Sequence, residues 1–161
     1  MAAPHRGEEP DKVFATNRQA RFQYHILEVH EAGLVLTGPE VKSVRDARAV
    51  MKDAFATLRN GELWLHNMHI SPYVHAPVSG QDPERARKLL LHRREIDKLE
   101  RLSRLEGHTL VPLRLYLRNG RVKCEIAVAK GKRLHDKRQA AREETARREA
   151  RDAMGRSRKG R

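Results

Sequence analysis

Cysteine, aromatic residues and long apolar runs are scarce in this chain of 161 residues. Its single cysteine, Cys124, cannot form an intramolecular disulfide or a multi-cysteine zinc site, so a disulfide-stapled secreted fold is excluded. No stretch approaches the roughly 18 uncharged apolar residues that a membrane span requires. Residues 1–12 lack the apolar segment of a secretion signal. These absences predict a soluble protein of about one domain in the reducing cytoplasm, without a membrane partner.

The sequence also lacks the motifs of an enzyme or a metal site. Gly131-Lys132 is followed by Arg133 instead of serine or threonine, and the first glycine of a phosphate-binding loop is missing. His66 and His69 are three residues apart on a predicted strand, so their side chains point to opposite faces. Cys124 lies within a predicted strand and is expected to be buried and inert. We therefore expect no catalytic residue, no metal ligand and no cofactor.

Positive charge, by contrast, is abundant. Lysine and arginine number 34 against 21 acidic residues, which gives a net charge of +13 and a pI near 10.6. Residues 130–161 hold 13 basic and 5 acidic side chains, a net of +8, whereas residues 1–129 carry a net of +5. Such an excess favours a polyanionic partner, usually nucleic acid. Because aromatic residues make up only 4%, we expect recognition of a folded RNA through its shape, phosphates and 2′-OH groups.

Composition divides the chain into a flexible leader over residues 1–16, a folded domain over residues 17–129 and a basic tail over residues 130–161. The leader is polar and has no periodicity. The tail has almost no large apolar side chains, so it cannot bury enough surface to fold alone. Between residues 138 and 154 the tail is rich in alanine and arginine, which predicts a latent helix that forms on binding and ends at Gly155.

The apolar pattern of the folded domain predicts a mainly β fold. Two pairs, Asn60-Gly61 and Asn119-Gly120, are strong signals for hairpin turns. Helices are predicted over residues 40–45 and 83–105, the second with apolar residues on two faces. Strands are predicted at residues 22–29, 34–37 (after a turn at 30–33), 54–58, 62–67, 69–73, 110–117 and 122–128. These short antiparallel strands predict a small OB-like β-barrel flanked by about two to three helices.

Ten stretches in a fixed order carry a resemblance to a known family. They are Asn17-Arg18-Gln19-Ala20, Glu31-Ala32-Gly33, Gly38-Pro39-Glu40-Val41-Lys42-Ser43-Val44-Arg45, Gly61-Glu62-Leu63-Trp64-Leu65, His69-Ile70-Ser71-Pro72-Tyr73, Arg87-Lys88-Leu89-Leu90-Leu91, Val111-Pro112-Leu113, Tyr116, Lys130-Gly131-Lys132 and Asp136-Lys137-Arg138. In this order and spacing, the set resembles the SsrA-binding protein (SmpB) family. Pro39 departs from the family's usual threonine, which removes a hydroxyl cap from the short helix.

The resemblance implies a bacterial RNA-binding adaptor and not an enzyme. Such a protein holds the tRNA-like end of transfer-messenger RNA and accompanies it into the A site of a stalled ribosome during trans-translation. The implied RNA-facing residues are Asn17, Glu31, Lys42, Arg45, Lys88 and Leu91. The three cationic members can neutralise phosphates. From the residues alone, Glu31 could equally be an exposed turn acid. The face that carries Leu91 is more readily explained as core, and Asn17 could simply cap or tether the leader.

By the same resemblance, the tail contacts the small ribosomal subunit and its 16S rRNA, at the decoding centre and in the empty mRNA channel. Gly131 would be the hinge between barrel and tail, and His135 could stack on a ribosomal RNA base. Elongation factor Tu is implied only indirectly, and a monomer in a 1:1 complex with the RNA is expected. The implied ribosome-contacting residues are Lys130, Gly131, Lys132, Arg133, His135, Asp136, Lys137, Arg138, Arg142, Arg147, Arg148 and Arg151.

A second hypothesis stays open, that of a structural ribosomal or ribosome-assembly protein with the same basic barrel and tail. The placement of glycine and charge over residues 130–138 favours the adaptor. A protein bound permanently to ribosomal RNA needs no hinged arm. The RNA that co-purifies with the protein from cells distinguishes the two hypotheses.

Overall fold

The structure is a computed structural model that describes residues 9–77 and 79–159. Within these residues the chain forms four helices and nine strands. The helices are α1 (Arg18–Gln23), α2 (Gly38–Arg45), α3 (Arg93–Ser103) and α4 (Leu134–Lys159). The strands are β1 (Lys12–Thr16), β2 (Tyr24–Leu34), β3 (Ala49–Val50), β4 (Phe55–Arg59), β5 (Glu62–His66), β6 (His69–Ile70), β7 (Arg87–Leu90), β8 (His108–Arg118) and β9 (Arg121–Gly131).

Seven of the strands form one antiparallel sheet that closes on itself. Its order is β1-β8-β4-β5-β7-β2-β9, and β9 pairs with β8 as well as with β2. The second pairing of β9 joins the two sides of the sheet into a barrel. Strands β3 and β6 pair separately. The prediction of a mainly β fold, with a small antiparallel OB-like barrel and flanking helices, is confirmed.

Aliphatic side chains at alternate strand positions fill the barrel. In β5, Leu63 and Leu65 are fully buried while their neighbours are partly exposed, as the two-residue period of a strand requires. Leu99 of α3 is fully buried in the same cluster, so α3 is packed against the barrel core. A second, smaller cluster contains Ala20 and Val111, which fixes α1 to the outer side of β8.

Both predicted Asn-Gly hairpins are present. Asn60-Gly61 joins β4 to β5 with φ angles of 52° and 73°, and Asn119-Gly120 joins β8 to β9 with φ angles of 51° and 74°. Two successive positive φ angles are typical of a type I′ turn, whose twist matches that of the flanking strands. The local sequence therefore determines these two turns.

The hairpin predicted around residues 30–33 is wrong, because β2 runs without a turn from Tyr24 to Leu34. Residues of this stretch pair with β9, with Ala32 opposite Cys124 and Gly33 opposite Lys123. Residues 22 and 23, assigned to the strand in the prediction, belong to α1. The long-range pairing with β9 outweighs the local turn propensity of glycine.

The long helix predicted over residues 83–105 is also wrong. Its first part is strand β7, and only Arg93–Ser103 is helical. In β7, Arg87 and Leu89 are buried while Lys88 and Leu90 are more exposed, so burial follows the period of a strand. β7 completes the barrel by pairing with β5 on one side and β2 on the other.

The leader predicted over residues 1–16 is too long, because Lys12–Thr16 forms strand β1 on the edge of β8. Phe14 is buried in the barrel cluster, which anchors this strand. Residues 1–8 lie outside the described residues. The backbone N–H of Asp11 donates to the carbonyl of Leu117 at 3.0 Å, so regular pairing begins just before β1.

The tail forms one helix, α4, of 26 residues and about 39 Å in length. The predicted end at Gly155 is wrong, since the helix continues through Gly155 to Lys159. A glycine inside a helix costs only about 1 kcal/mol, which the alanine- and arginine-rich turns before it can offset. Dependence of the helix on a bound partner stays a prediction. In the described part of the chain, no helix combines the length and apolar composition needed to cross a membrane.

Candidate nucleic-acid interface

Helix α2 presents Lys42 and Arg45 on its exposed side. Thr37 caps the helix: its Oγ1 accepts from the backbone N–H of Glu40 at 3.4 Å, and its own N–H donates to Glu40 Oε1 at 2.9 Å. Pro39 occupies the first turn, where its missing N–H is harmless. The helix is therefore capped by Thr37, and the expected loss of a hydroxyl cap at Pro39 does not occur.

A buried ion cluster holds α2 against β7. Glu40 lies 2.6 Å from Nε of Arg87 and 2.5 Å from a terminal nitrogen of Arg85. The side chain of Arg87 is fully buried, and its other nitrogens donate to the carbonyls of Met68 and Pro83 at 2.5 and 3.0 Å. The cluster fixes the position of Lys42 and Arg45 relative to Lys88 of β7, although none of its members was predicted as a site residue.

The charge state of Glu40 is set by opposing effects. Burial disfavours its ionised form, whereas the N–H of Thr37 and the guanidinium groups of Arg85 and Arg87 stabilise it. The hydrogen bonds and charges outweigh burial, so the pKa of Glu40 is lower than its ordinary value. Glu40 is therefore a carboxylate that is paired on both oxygens at neutral pH.

Lys88 and Leu91 lie at the same end of the barrel as α2. Lys88 Nζ is 3.0 Å from Oε1 of Glu62 in β5, and both side chains are partly exposed. Leu91 follows β7 directly and is half-buried against the barrel cluster. The second apolar helix face assigned to Leu91 does not exist. Its side chain is partly a core residue and partly accessible.

Glu31 is engaged inside the protein. Its Oε2 accepts from the hydroxyl of Tyr116 at 2.5 Å and lies 2.9 Å from Nε of Arg118. The guanidinium groups of Arg114 and Arg118 lie 5.0 and 5.5 Å from the centre of the Tyr116 ring. The alternative of an exposed turn acid is wrong, because Glu31 lies within β2. Burial and the hydrogen bond to Glu31 raise the pKa of the Tyr116 phenol, so it stays a donor to the carboxylate.

Asn17 is placed apart from Lys88 and Leu91. Its side-chain amide donates to the carbonyl of Pro112 at 2.9 Å and to that of Met51 at 3.4 Å. Asn17 precedes α1, the helix that the tail contacts. Of the two roles left open for Asn17, a cap and a tether, these bonds agree with the tether: its side chain makes no capping bond to α1 but joins the end of β1 to Pro112 in β8 and to Met51.

The tail leaves the barrel through a defined attachment. The backbone N–H of Lys132 donates to the carbonyl of Gln23 at 2.9 Å, and Lys132 Nζ donates to the carbonyl of Arg21 at 3.0 Å. Asp136 Oδ2 lies 3.3 Å from Nε2 of His25 and accepts from the N–H of Arg133 at 3.3 Å. The hydrogen bond with His25 and that from Arg133 lower the pKa of Asp136. Asp136 therefore belongs to the attachment itself.

Gly131 is the last residue of β9, paired with Tyr24 of β2. Its φ is not in the positive region, and a Cβ added there would meet no atom within 4 Å among the described residues. Gly131 therefore does not adopt the special backbone conformation that was the reason for predicting a hinge there. Strand β9 also extends beyond residue 129, where the prediction placed the end of the folded domain. The turn into α4 occurs at Lys132 and Arg133.

Beyond the attachment, residues 141–156 of α4 are exposed. Two ion pairs lie on its surface, Arg147 to Glu143 at 3.8 Å and Arg151 to Glu144 at 3.3 Å. Such exposed pairs contribute little to the stability of the protein. Because their side chains are exposed, the two arginines are also accessible to an external polyanion. The tail residues that carry this positive surface are Lys137, Arg138, Arg142, Arg147, Arg148 and Arg151.

The two basic surfaces lie at opposite ends of β2. Leu34 at one end pairs with Leu89 of β7, next to Lys88, while Tyr24 at the other end pairs with Gly131, where the tail begins. The eleven residues of β2 span roughly 30 Å. We call the residues Glu31, Lys42, Arg45, Lys88 and Leu91 the barrel surface, and residues 132–159 the tail surface.

Several of the side chains that shape these surfaces were missed in the sequence. Arg114, Tyr116 and Arg118 occupy alternate positions of β8 and so share one face, a signal that the strand period could have revealed. No local pattern indicates that this face meets Glu31, which lies 85 residues away from Tyr116 in the chain. The same holds for His25 and Asp136, whose separation is 111 residues.

Cys124 is fully buried, as expected, and burial raises the pKa of its thiol well above the ordinary range. Among the residues that the structure describes, no group of three or more His, Cys, Asp or Glu side chains could hold a metal ion.

Comparisons with known proteins agree with this geometry. A family model described as "SmpB protein" matches residues 14–156. The SsrA-binding protein of Thermobifida fusca (strain YX) is 54% identical over 153 residues, 95% of both chains, and that of Synechococcus sp. (strain JA-3-3Ab) is 56% identical over 139 residues, 86% of this chain and 90% of the relative. A solved structure described as "tmRNA-SmpB: a journey to the center of the bacterial ribosome" is 42% identical with a TM-score of 0.64, over 80% of this chain and 94% of that chain. The chain belongs to the SmpB protein family.

Proposed function

We propose that this protein is an RNA-binding adaptor of bacterial trans-translation. In this proposal it binds the tRNA-like domain of transfer-messenger RNA and delivers it to the A site of stalled ribosomes in the cytoplasm. Relatives named SsrA-binding protein and a neighbour described with tmRNA and the bacterial ribosome support it. The observation that carries the proposal is the separation of two basic surfaces by the length of β2.

The barrel surface binds the tRNA-like domain in this proposal. Lys42, Arg45 and Lys88 neutralise phosphates, and the accessible part of Leu91 packs on the RNA. Glu31 is held by Tyr116 with 24% of its side chain exposed, so its carboxylate can accept from a base amine or a 2′-OH group. Asn17 contributes by holding the start of α1 through its bonds to Pro112 and Met51.

The tail surface contacts the small ribosomal subunit and its 16S rRNA. The first residues, from Lys130 to Arg138, lie at the decoding centre, with His135 stacked on a base, and the remaining arginines line the empty mRNA channel. A helix of about 39 Å fits a channel only where no mRNA occupies it, which gives selectivity for ribosomes that have run out of message. The protein acts as a monomer in a 1:1 complex with the RNA, and elongation factor Tu participates indirectly, through that RNA.

The dependence of RNA affinity on salt tests the barrel surface. We expect each of the variants Lys42→Ala, Arg45→Ala and Lys88→Ala to weaken binding of the tRNA-like domain and to lower the slope of log K against log salt by about one. Arg94→Ala is the matched control, because Arg94 is an exposed arginine on α3. Slopes equal to that of the control in all three variants would contradict the barrel surface as the RNA site.

Deletion of residues 134–161 tests the tail surface. The cut preserves all of β9, whereas a cut after Val128 would remove the fully buried Ala129 and part of the strand. We expect the truncated protein to bind the tRNA-like domain with affinity close to that of the full chain but not to support peptide tagging. If the truncated protein bound the free RNA only at background level, this would contradict the assignment of RNA binding to the barrel surface and of ribosome contact to the tail surface. Recovery from cells of ribosomal RNA without transfer-messenger RNA would favour the structural ribosomal protein instead.

A further inference from the structure

A cavity of about 300 Å³ lies between α1, the start of β4 and the start of β8, next to the attachment of the tail. Its volume is at the lower end of the range found for small-ligand pockets. Ala20, Ala54 and Val111 contribute to its lining and are all at least 96% buried, so these walls are fixed by the packing of the barrel. Asn17, one of the implied RNA-facing residues, lines the cavity, but no member of the barrel surface or of the tail surface does so among the described residues.

Phe55 provides an aromatic wall. Its ring is stacked on His66, with centroids 5.3 Å apart and an angle of 26° between the planes, and His66 Nε2 is 2.8 Å from the hydroxyl oxygen of Thr57. The ring is thus held from one side, while 37% of the residue stays exposed. An exposed aromatic ring that is fixed in position is a stacking platform for a planar base, because little side-chain entropy is lost on binding.

Asp53 provides a carboxylate at the edge of the same cavity. It has φ of +62°, a left-handed conformation that aspartate and asparagine tolerate better than other side chains. In residues 9–77 and 79–159 the structure records no hydrogen bond or ion pair for its side chain, which is exposed. An ionised carboxylate only accepts hydrogen bonds. Its ligand must therefore present donors.

Together, the ring of Phe55 and the carboxylate of Asp53 favour one nucleobase over the others. Guanine presents two adjacent donors, N1–H and the 2-amino group, on one edge, whereas adenine and cytosine place a ring acceptor beside their amino group and uracil has one donor between two acceptors. Two accepting oxygens of a carboxylate match only the guanine edge. Gln19 and Gln23, which also line the cavity, supply amides that can donate to O6 and N7 of the same base.

We propose that this cavity binds an unpaired guanine base, stacked on Phe55 and held by Asp53 through its N1–H and 2-amino groups. The base belongs either to a free guanine nucleotide or to a single-stranded segment of RNA. Arg18 and Lys52 adjoin lining residues in sequence and are exposed, so their charges are available to a phosphate attached to the base. This site goes beyond the proposed function, because it adds a pocket for one particular base that is formed by residues outside the barrel surface and the tail surface.

Base preference measured on the full chain tests the proposal. Short fluorescent oligouridines with one central guanosine, adenosine or inosine are titrated by anisotropy, with GMP as competitor. We expect guanosine to bind about tenfold or more tighter than adenosine, and inosine, which lacks the 2-amino group, to fall between them. Competition by GMP identifies the free nucleotide as a ligand, and absence of competition identifies the RNA segment; both support a guanine site.

Two variants separate specificity from stacking. Asp53→Asn, which tolerates the same φ, should abolish the preference for guanosine, whereas Phe55→Ala should weaken all three oligonucleotides about tenfold. Asp97→Asn, a change of the same chemistry on exposed α3, is the control. Equal binding of guanosine and adenosine oligonucleotides, or a preference that survives in Asp53→Asn, would overturn the proposal. Binding of transfer-messenger RNA, measured on the same samples, reports on the proposed function separately.

Discussion

Arg87 and Arg147 carry the same guanidinium group in opposite surroundings. Arg87 is fully buried in the barrel and bonded to Glu40 and to two backbone carbonyls. Arg147 is exposed on α4, 3.8 Å from Glu143. A buried charge is costly when its partner is lost, whereas an exposed pair contributes little. The comparison shows that Arg87 is a structural residue of the barrel, whereas Arg147 of the tail is accessible to a partner.

The largest effect is expected from Arg87→Met, which leaves Glu40 buried with one partner fewer. We expect the free energy of unfolding to fall by about 3–5 kcal/mol. Urea denaturation followed by circular dichroism measures it. Arg147→Met is the control and should change the free energy by less than about 0.5 kcal/mol. A similar fall in the free energy of unfolding for Arg87→Met and Arg147→Met would contradict the proposed difference between the barrel and the tail.

A smaller effect is expected from Glu40→Gln, about 1–3 kcal/mol at neutral pH, because the amide weakens both arginine pairs. The pKa of Glu40 is lower in the folded protein than the unfolded value of 4.5. Its contribution is therefore fully present above that value and is lost as the pH falls through the folded pKa. Denaturation at a series of acidic pH values should show a flatter decline for the variant; parallel curves for the two proteins would show that Glu40 is not the group responsible.

Deletion of residues 134–161 should change the stability of the barrel by less than about 1 kcal/mol, since, among the described residues, the side-chain bond that ties the deleted segment to the barrel is the exposed one between Asp136 and His25. Thermal and urea unfolding of the truncated and full chains measure this. An unfolding midpoint that falls as far as that of Arg87→Met would mean that the tail is part of the fold.

The smallest effect is expected from Glu143→Gln, which removes the i,i+4 ion pair with Arg147 in the tail. The helix should lose about 0.2–0.5 kcal/mol, seen as a slight decrease in far-UV circular dichroism at low salt. Added salt should abolish the difference between variant and parent, because exposed pairs are screened. A difference that persists at high salt would indicate a contact other than this ion pair.

Elements whose conformation is set by neighbours in sequence could be predicted. The turns at Asn60-Gly61 and Asn119-Gly120 and the tail helix are of this kind. Strands β2 and β7 were misassigned because their conformation depends on distant partners. The local sequence Arg87-Lys88-Leu89-Leu90 is compatible with a helix. Its conformation as a strand depends on distant contacts such as that of Arg87 with Glu40, which lies 47 residues earlier in the chain.

The charges of the candidate site could be predicted, but not their arrangement. Lys42, Arg45 and Lys88 are exposed or partly exposed, as a phosphate-binding role requires. The support of Glu31 by Tyr116 and Arg118 was not predictable, because it arises only when β2, β8 and β9 close the barrel. Composition indicates that a chain binds a polyanion, whereas tertiary pairing decides which charges remain for that task.

The length of strand β2 has a further consequence, because it sets the distance between the barrel surface and the start of the tail. Its hydrogen bonds to β9 run from Tyr24 to Gly33 and continue one step further, where Lys132 bonds to Gln23, so the tail leaves the barrel along a line that the sheet dictates. In the proposed function, this strand sets the distance between the two macromolecules that bind at its two ends. Lengthening both strands by two residues would move them apart by roughly 7 Å while every side chain kept its face. If the two surfaces bind as proposed, the number of hydrogen-bonded residue pairs between β2 and β9 sets the spacing between the two partners.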